Sequence, residues 1–377
     1  MEDPKICCVC GTPGSPKRCA CKGAHYCGPT CQKADWGRHK KECAVDLAKK
    51  LKDMQQEHSE DDKRVADAHI AIGKTHEQYA RYSDAEKSFK KALRIYTRVH
   101  GDSHQKVSCI SLHLGNTYHW MGQYDDALKM FQRCIEIQRG HFGNKTLTVG
   151  TALNSIGSVY QARGQLKEAL ELCTEALDIQ YDVLGEEHDH VANTLGNMGA
   201  LYVQLDDPDK ALEIFQAVIA ITCRNSAGDG NEVTCGSLVN MGQIYGARGL
   251  FEEAQVKFEK ALVISRRVNG EKHPNVGNAL MCLACNHRRQ GRVEEALEMH
   301  KKALKIYRRA LGKDHVRVAT SLGAIGSVYS DQGRHDDALE CFEKALGIFT
   351  RTIGIQSVEA AACLSNIAGS RFLGSRA

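Results

Sequence analysis

Eight side chains between Cys7 and Cys43 stand at spacings that suit metal chelation: Cys7-x2-Cys10, Cys19-x-Cys21, Cys27-x3-Cys31 and His39-x3-Cys43. Thiolates and imidazoles in sets of four satisfy tetrahedral Zn²⁺, and closed structural sites use four cysteines or three cysteines with one histidine. Eight ligands make two such sets and leave no open position for a substrate water. The expectation is two structural Zn²⁺ ions per chain and no catalytic metal. Cys8 is the spare thiol, because pairing it with Cys10 closes a tighter loop than Cys7 does.

A disulfide framework is the competing account of 17 cysteines. No apolar signal segment opens the chain and no run of 18 apolar residues could span a membrane, so the reading is intracellular, in cytoplasm or nucleus. The remaining cysteines are scattered along the chain, as small apolar side chains are in a reducing compartment. Cys282-x2-Cys285 falls inside a helical stretch without nearby partners and is read as core.

The run Tyr26-Cys27-x3-Cys31-Gln32-x2-Asp35-Trp36-x2-His39-x3-Cys43 closely resembles the second half of a MYND zinc finger. The resemblance implies a cross-brace, with one zinc on Cys7, Cys10, Cys27 and Cys31 and the other on Cys19, Cys21, His39 and Cys43. One departure from the family pattern is the single residue, Ala20, between Cys19 and Cys21, where two are usual. A RING finger also braces two zincs, but the His-x3-Cys ending on a predicted helix fits MYND better. The finger is assigned to residues 1–45, followed by a helical and polar linker over 46–65.

From residue 66 to 377 the chain repeats itself at a period of 42. A small residue recurs as Gly73, Gly115, Gly157, Gly199, Gly242, Ala284, Gly326 and Ala368; one step is 43 and the rest are 42. An alanine follows twelve places later, at Ala85, Ala127, Ala169, Ala211, Ala254, Ala296 and Ala338. Self-similarity in this range marks a stack of helix pairs. A first helix ends at a glycine turn, and a second begins with acidic residues such as Asp125–Asp126 or Glu294–Glu295, which suit the positive end of the helix dipole. Small residues at the repeated positions let neighbouring helices approach closely.

These motifs, with Leu-Gly-x-x-Tyr and Tyr-x-x-Ala-Leu, resemble tetratricopeptide repeats of the kinesin light chain variety. The expected fold is all-α: a cross-brace double-zinc finger followed by a right-handed α-solenoid of seven full repeats and a partial eighth. Such arrays host many unrelated roles, so the resemblance speaks to fold more than to function.

Catalytic residues are not expected. No phosphate loop, nucleophile elbow or Ser/His/Asp constellation is present, and the paired carboxylates are helix starts. His104, His188, His273 and His315 recur at one inter-repeat position, which points to a repeated structural role. Nothing beyond the finger is left unclaimed by repeats, so a methyltransferase domain has no room, and an enzyme of that or the ubiquitin-ligase kind is the remote alternative. Lys and Arg number 50 against 46 Asp and Glu, far from the excess of a dedicated nucleic-acid binder.

Two surfaces are candidates for binding proteins. By resemblance, MYND fingers take short proline-rich peptides beside the helix that bears Gln32 and Trp36, and an indole on so small a module suits proline rings. Again by resemblance, the first helix of each repeat lines a groove in which asparagines hold a peptide backbone. Asn197 and Asn240 stand two places before the small residue; Asn193 lies one turn before Asn197, and Asn278 falls at its equivalent. A carboxamide donates and accepts at once, as an extended peptide requires. The reading is a zinc-binding adaptor or scaffold without membrane or nucleic-acid partners. A nuclear transcription or chromatin co-regulator is the alternative.

Overall fold

The computed structural model describes residues 17–18, 25–26, 62–78, 81–226, 228 and 230–374. All eight expected zinc ligands, and Gln32 and Trp36, lie outside them. In the finger, β1 (Lys17–Arg18) and β2 (His25–Tyr26) pair antiparallel, Lys17 opposite Tyr26 and Arg18 opposite His25. Residues 19–24, which connect the strands, include Cys19 and Cys21.

From residue 62 on, the described residues are helical, and the chain divides into two compact units, Met1–Asn197 and Met198–Ala377. In the first unit α1 (Lys63–Gln78) pairs with α2 (Tyr82–His100), α3 (Gln105–Trp120) with α4 (Tyr124–Phe142), and α5 (Leu147–Ala162) with α6 (Leu166–Leu184). The unit boundary falls within α7 (Asp189–Gln204). In the second unit α8 (Pro208–Asn225) packs on α9 (Glu232–Ala247), which pairs with α10 (Phe251–Asn269). There α11 (Pro274–Arg289) pairs with α12 (Val293–Leu311), and α13 (Val316–Asp331) with α14 (His335–Thr352). The terminal α15 (Val358–Gly374) packs on α14.

Why the repeated glycine is small is visible in its packing. A Cβ built on Gly115 would lie 2.5 Å from Phe131 Cε1, and one on Gly73, Gly199, Gly242 or Gly326 would meet Phe89, Phe215, Phe258 or Phe342 equally closely. Each phenylalanine stands sixteen residues after its glycine, on the second helix, and is buried. The ring fills the notch that the missing side chain leaves, so both helices of a pair close around one aromatic layer. Two repeats depart: Cys173 stands against Gly157, and His300 falls at the same position after Ala284.

Helix ends follow local chemistry. Six second helices are preceded by Arg81, Gln123, Gln165, Leu250, Arg292 and Arg334, none of which caps through its side chain, whereas Asp207 before α8 accepts from Lys210 N at 3.2 Å. Carboxylates in the first turn supply what the caps do not. In the six described turns before second helices of repeats two to seven the chain takes a left-handed residue; it is glycine in five, and Asp206 takes φ 62° in the fourth repeat, a conformation that a short polar side chain tolerates.

Candidate functional site

The four recurring histidines are helix caps. Nδ1 of His104 accepts from Lys106 N at 3.2 Å, His188 from His190 N at 3.1 Å, His273 from Asn275 N at 3.2 Å and His315 from Arg317 N at 3.1 Å. Each imidazole therefore does for a first helix what Ser or Asp does elsewhere, and only the unprotonated nitrogen can accept. Burial lowers the pKa of His104 and His315, with neighbouring cations adding to the effect. The structural role that the sequence assigns to them is thereby identified.

The four asparagines differ in what they touch. Asn240, on α9, is half-buried and makes no hydrogen bond among the described residues. Asn193 is exposed. Asn197 Nδ2 donates to Asn154 Oδ1 at 3.0 Å and to Ser158 Oγ at 3.2 Å, both on the first helix of the preceding repeat. Its acceptor oxygen is uncommitted. At the same register position in the second repeat, His113 Nδ1 lies 3.1 Å from Glu77 Oε2. Two pairs of first helices, α1 with α3 and α5 with α7, are thus linked by polar side chains at the place where a peptide clamp is expected.

Asn278 is committed inside the array. Its Oδ1 accepts from Tyr307 of α12, whose hydroxyl lies 2.5 Å away, and from the guanidinium of Arg317 on α13. The same bridge occurs in the first unit, where Tyr96 Oη donates to Asp67 at 2.7 Å and Lys106 Nζ lies 3.6 Å from that carboxylate. Tyr96, Asp67 and Lys106 hold the repeat positions of Tyr307, Asn278 and Arg317. One oxygen gathers both helices of a pair and the next first helix. Equivalence to Asn193 placed Asn278 among the clamp residues in the sequence; partners 29 and 39 residues away give it a structural job instead.

Buried titratable groups are arranged to stay neutral. Burial pushes the thiols of Cys134 and Cys173 up to about 12 and those of Cys235 and Cys282 up to about 11, so none is a thiolate nucleophile. Burial lowers His69 and His300 to about 4. The core role expected of the Cys282–Cys285 pair holds in part: Cys282 is half-buried, packed against the core cluster and in reach of Gln243, while Cys285 is exposed. Among the described residues no group of three or more His, Cys, Asp or Glu side chains could hold a metal ion. No described helix is long and apolar enough to cross a membrane.

Comparison with known families agrees with this construction. A tetratricopeptide repeat model matches residues 64–140, 148–224, 233–309, 277–351 and 317–373. The chain belongs to the tetratricopeptide repeat family. A MYND finger model matches residues 7–43, beginning and ending on expected ligands, so the protein is a zinc-finger member with repeats of protein-interaction type. The donor set of seven thiols and one imidazole fits zinc. Dauer abnormal formation protein 25 of Caenorhabditis elegans is 56% identical over 41 residues, which is 11% of this chain and 10% of that protein. The match thus spans about a tenth of that relative's length.

Among solved structures, the APC/C hetero-tetramer Cut9–Hcn1 aligns with a TM-score of 0.56 at 13% identity, over 87% of this chain and 52% of that one. The apo form of RapI aligns at 0.54 with 13% identity, over 76% and 98%. A putative kinesin light chain from Podosopora anserina with nearly identical repeats is 23% identical, with a TM-score of 0.44 over 53% and 94%. These likenesses concern the fold alone.

Proposed function

We propose that the protein is a non-enzymatic adaptor that joins partner proteins through two independent peptide sites. The finger, holding two zincs on Cys7, Cys10, Cys19, Cys21, Cys27, Cys31, His39 and Cys43, takes proline-rich peptides at Gln32 and Trp36. The first helices of the repeats take a second, extended peptide. Asn240 is the observation that carries the second site: a half-buried carboxamide without a partner keeps a donor and an acceptor free, whereas Asn278 has spent its acceptor. Asn193 and Asn197 are proposed as peptide contacts of α7 in their own right, Asn197 through its free oxygen.

Zinc supplies the finger with its fold, since a module of about 40 residues buries too little core to stand alone. The test is a peptide array that includes a proline-rich set, probed with the full-length protein and with Trp36→Ala and Asn240→Ala. Proline-rich peptides should be lost only with Trp36→Ala, and a separate set only with Asn240→Ala. If both variants retain every peptide bound by the parent protein, the adaptor reading fails.

A further inference from the structure

The second helix of the sixth repeat, α12, carries positive charge that its neighbours neutralise and it does not. Lys301, Lys305, Arg308, Arg309 and Lys313 surround a depression of about 390 Å³ floored by Leu304. All five cations are exposed. None forms an ion pair among the described residues, although Lys302, on the same helix, pairs with Glu298 at 2.6 Å.

Repeat register explains the excess. In the fifth repeat Arg266 Nε meets Glu271 at 3.2 Å; the same two positions in the sixth repeat hold Arg308 and Lys313. In the seventh repeat Arg351 meets Asp314 at 2.6 Å; the equivalents in the sixth are Arg309 and Lys272. Twice, then, a lysine stands where an adjacent repeat has the carboxylate that would neutralise the arginine. Like charges at such spacing repel and lower stability, and a bound anion relieves that repulsion.

We propose that this face of α12 is a docking site for a short acidic segment of a partner protein, distinct from the finger and from the first-helix clamp. Lys301, Lys305 and Arg308 follow one another at i, i+4 and i+7, spreading cations over about 10 Å of helix at about 1.5 Å per residue. That is the reach of three or four extended residues at about 3.3 Å each, so several carboxylates of one segment find partners together. Leu304, 9% exposed between the cations, offers a contact for an apolar side chain among those acids. The patch is also bounded. Glu294, Glu295 and Glu298 occupy the first half of α12, and Asp314 follows Lys313. A nucleic-acid strand or a membrane surface would run onto those carboxylates, whereas a short peptide need not.

The test uses the full-length protein and a fluorescein-labelled hexaglutamate peptide, followed by anisotropy at about 0.01 M ionic strength, where charges are screened only beyond about 30 Å. Lys313→Glu and Lys272→Asp each install the carboxylate that the adjacent repeat uses. They should weaken hexaglutamate binding about tenfold each while leaving the melting temperature level or raised. That combination separates loss of a site from loss of fold. The proposal is overturned if the parent protein does not bind hexaglutamate, or if both variants bind it as the parent does. It is equally overturned if a labelled uridine oligonucleotide or phosphatidylserine vesicles bind more tightly than the peptide and lose that binding in the variants.

Discussion

Adding one methyl group to Gly115 tests the packing on which five of the seven repeats are built. In Gly115→Ala the new Cβ would stand 2.5 Å from Phe131 Cε1, 2.6 Å from Cδ1 and 2.9 Å from Cζ. Real carbons do not approach so closely, and Phe131 is 0% exposed, so its ring cannot swing into solvent. Overpacking of this kind costs about 1–3 kcal/mol. Alanine returns up to about 1 kcal/mol through its higher helix propensity, leaving a net loss of up to about 2 kcal/mol. Gly323, on α13, is the control, because nothing lies within 4 Å of its built Cβ. Gly323→Ala should therefore keep the whole propensity gain. Thermal melts followed by far-ultraviolet circular dichroism should show Gly115→Ala lower by several degrees, at about 2–4 °C per kcal/mol, and Gly323→Ala level or higher. The sixth repeat suggests a rescue, since there an alanine, Ala284, is accommodated where the sixteenth residue on is the smaller ring of His300. Gly115→Ala combined with Phe131→His should lose less than the two changes summed. If Gly115→Ala melts no lower than Gly323→Ala, the notch does not hold the helix pair together.

Three further outcomes follow from the same structure. The caps His104 and His315 and the buried His69 and His300 have pKa values lowered in the fold, which means stability that is present above about pH 6.5 and lost as pH falls towards 4. Melting temperature should drop over that window, and less steeply for His315→Asn, whose cap does not titrate; an unchanged slope would remove His315 from the account. Asn278→Ala should destabilise by about 1–3 kcal/mol by stranding Tyr307 and Arg317, whereas Asn240→Ala should leave the melt unchanged and weaken peptide binding by a similar amount, as a melt set beside a titration will show. Metal analysis should find about two zincs per chain, reduced in Cys27→Ser and in Cys19→Ser, and chelation should leave most helical dichroism in place; full stoichiometry in Cys19→Ser would remove Cys19 from its site.

Much of this was readable along the chain because it is local. The 42-residue period, the small residue of each first helix and the acidic start of each second helix depend on helical spacing and on end effects that reach only a turn or so. The histidines at 104, 188, 273 and 315 announced a shared role by recurrence alone, since a cap bonds to a backbone only two residues on. The ligand spacings of the finger are local as well, which is why a family match could begin at Cys7 and end at Cys43.

What tertiary structure decided lies at separations where no short-range rule applies. Asn193 and Asn278 hold the same position in their repeats, yet one is exposed and the other bridges Tyr307 and Arg317. Only the packing of α11 against α12 and α13 tells them apart. Likewise the positive face of α12 is unremarkable as a string of lysines and arginines. It becomes distinctive once Arg351 is seen to reach Asp314 across 37 residues, exposing the lysine that stands in the corresponding place for Arg309. Spacing along a helix sets which side chains share a face; which of them meet a partner is set by how neighbouring helices are brought together, through contacts between residues far apart in the chain.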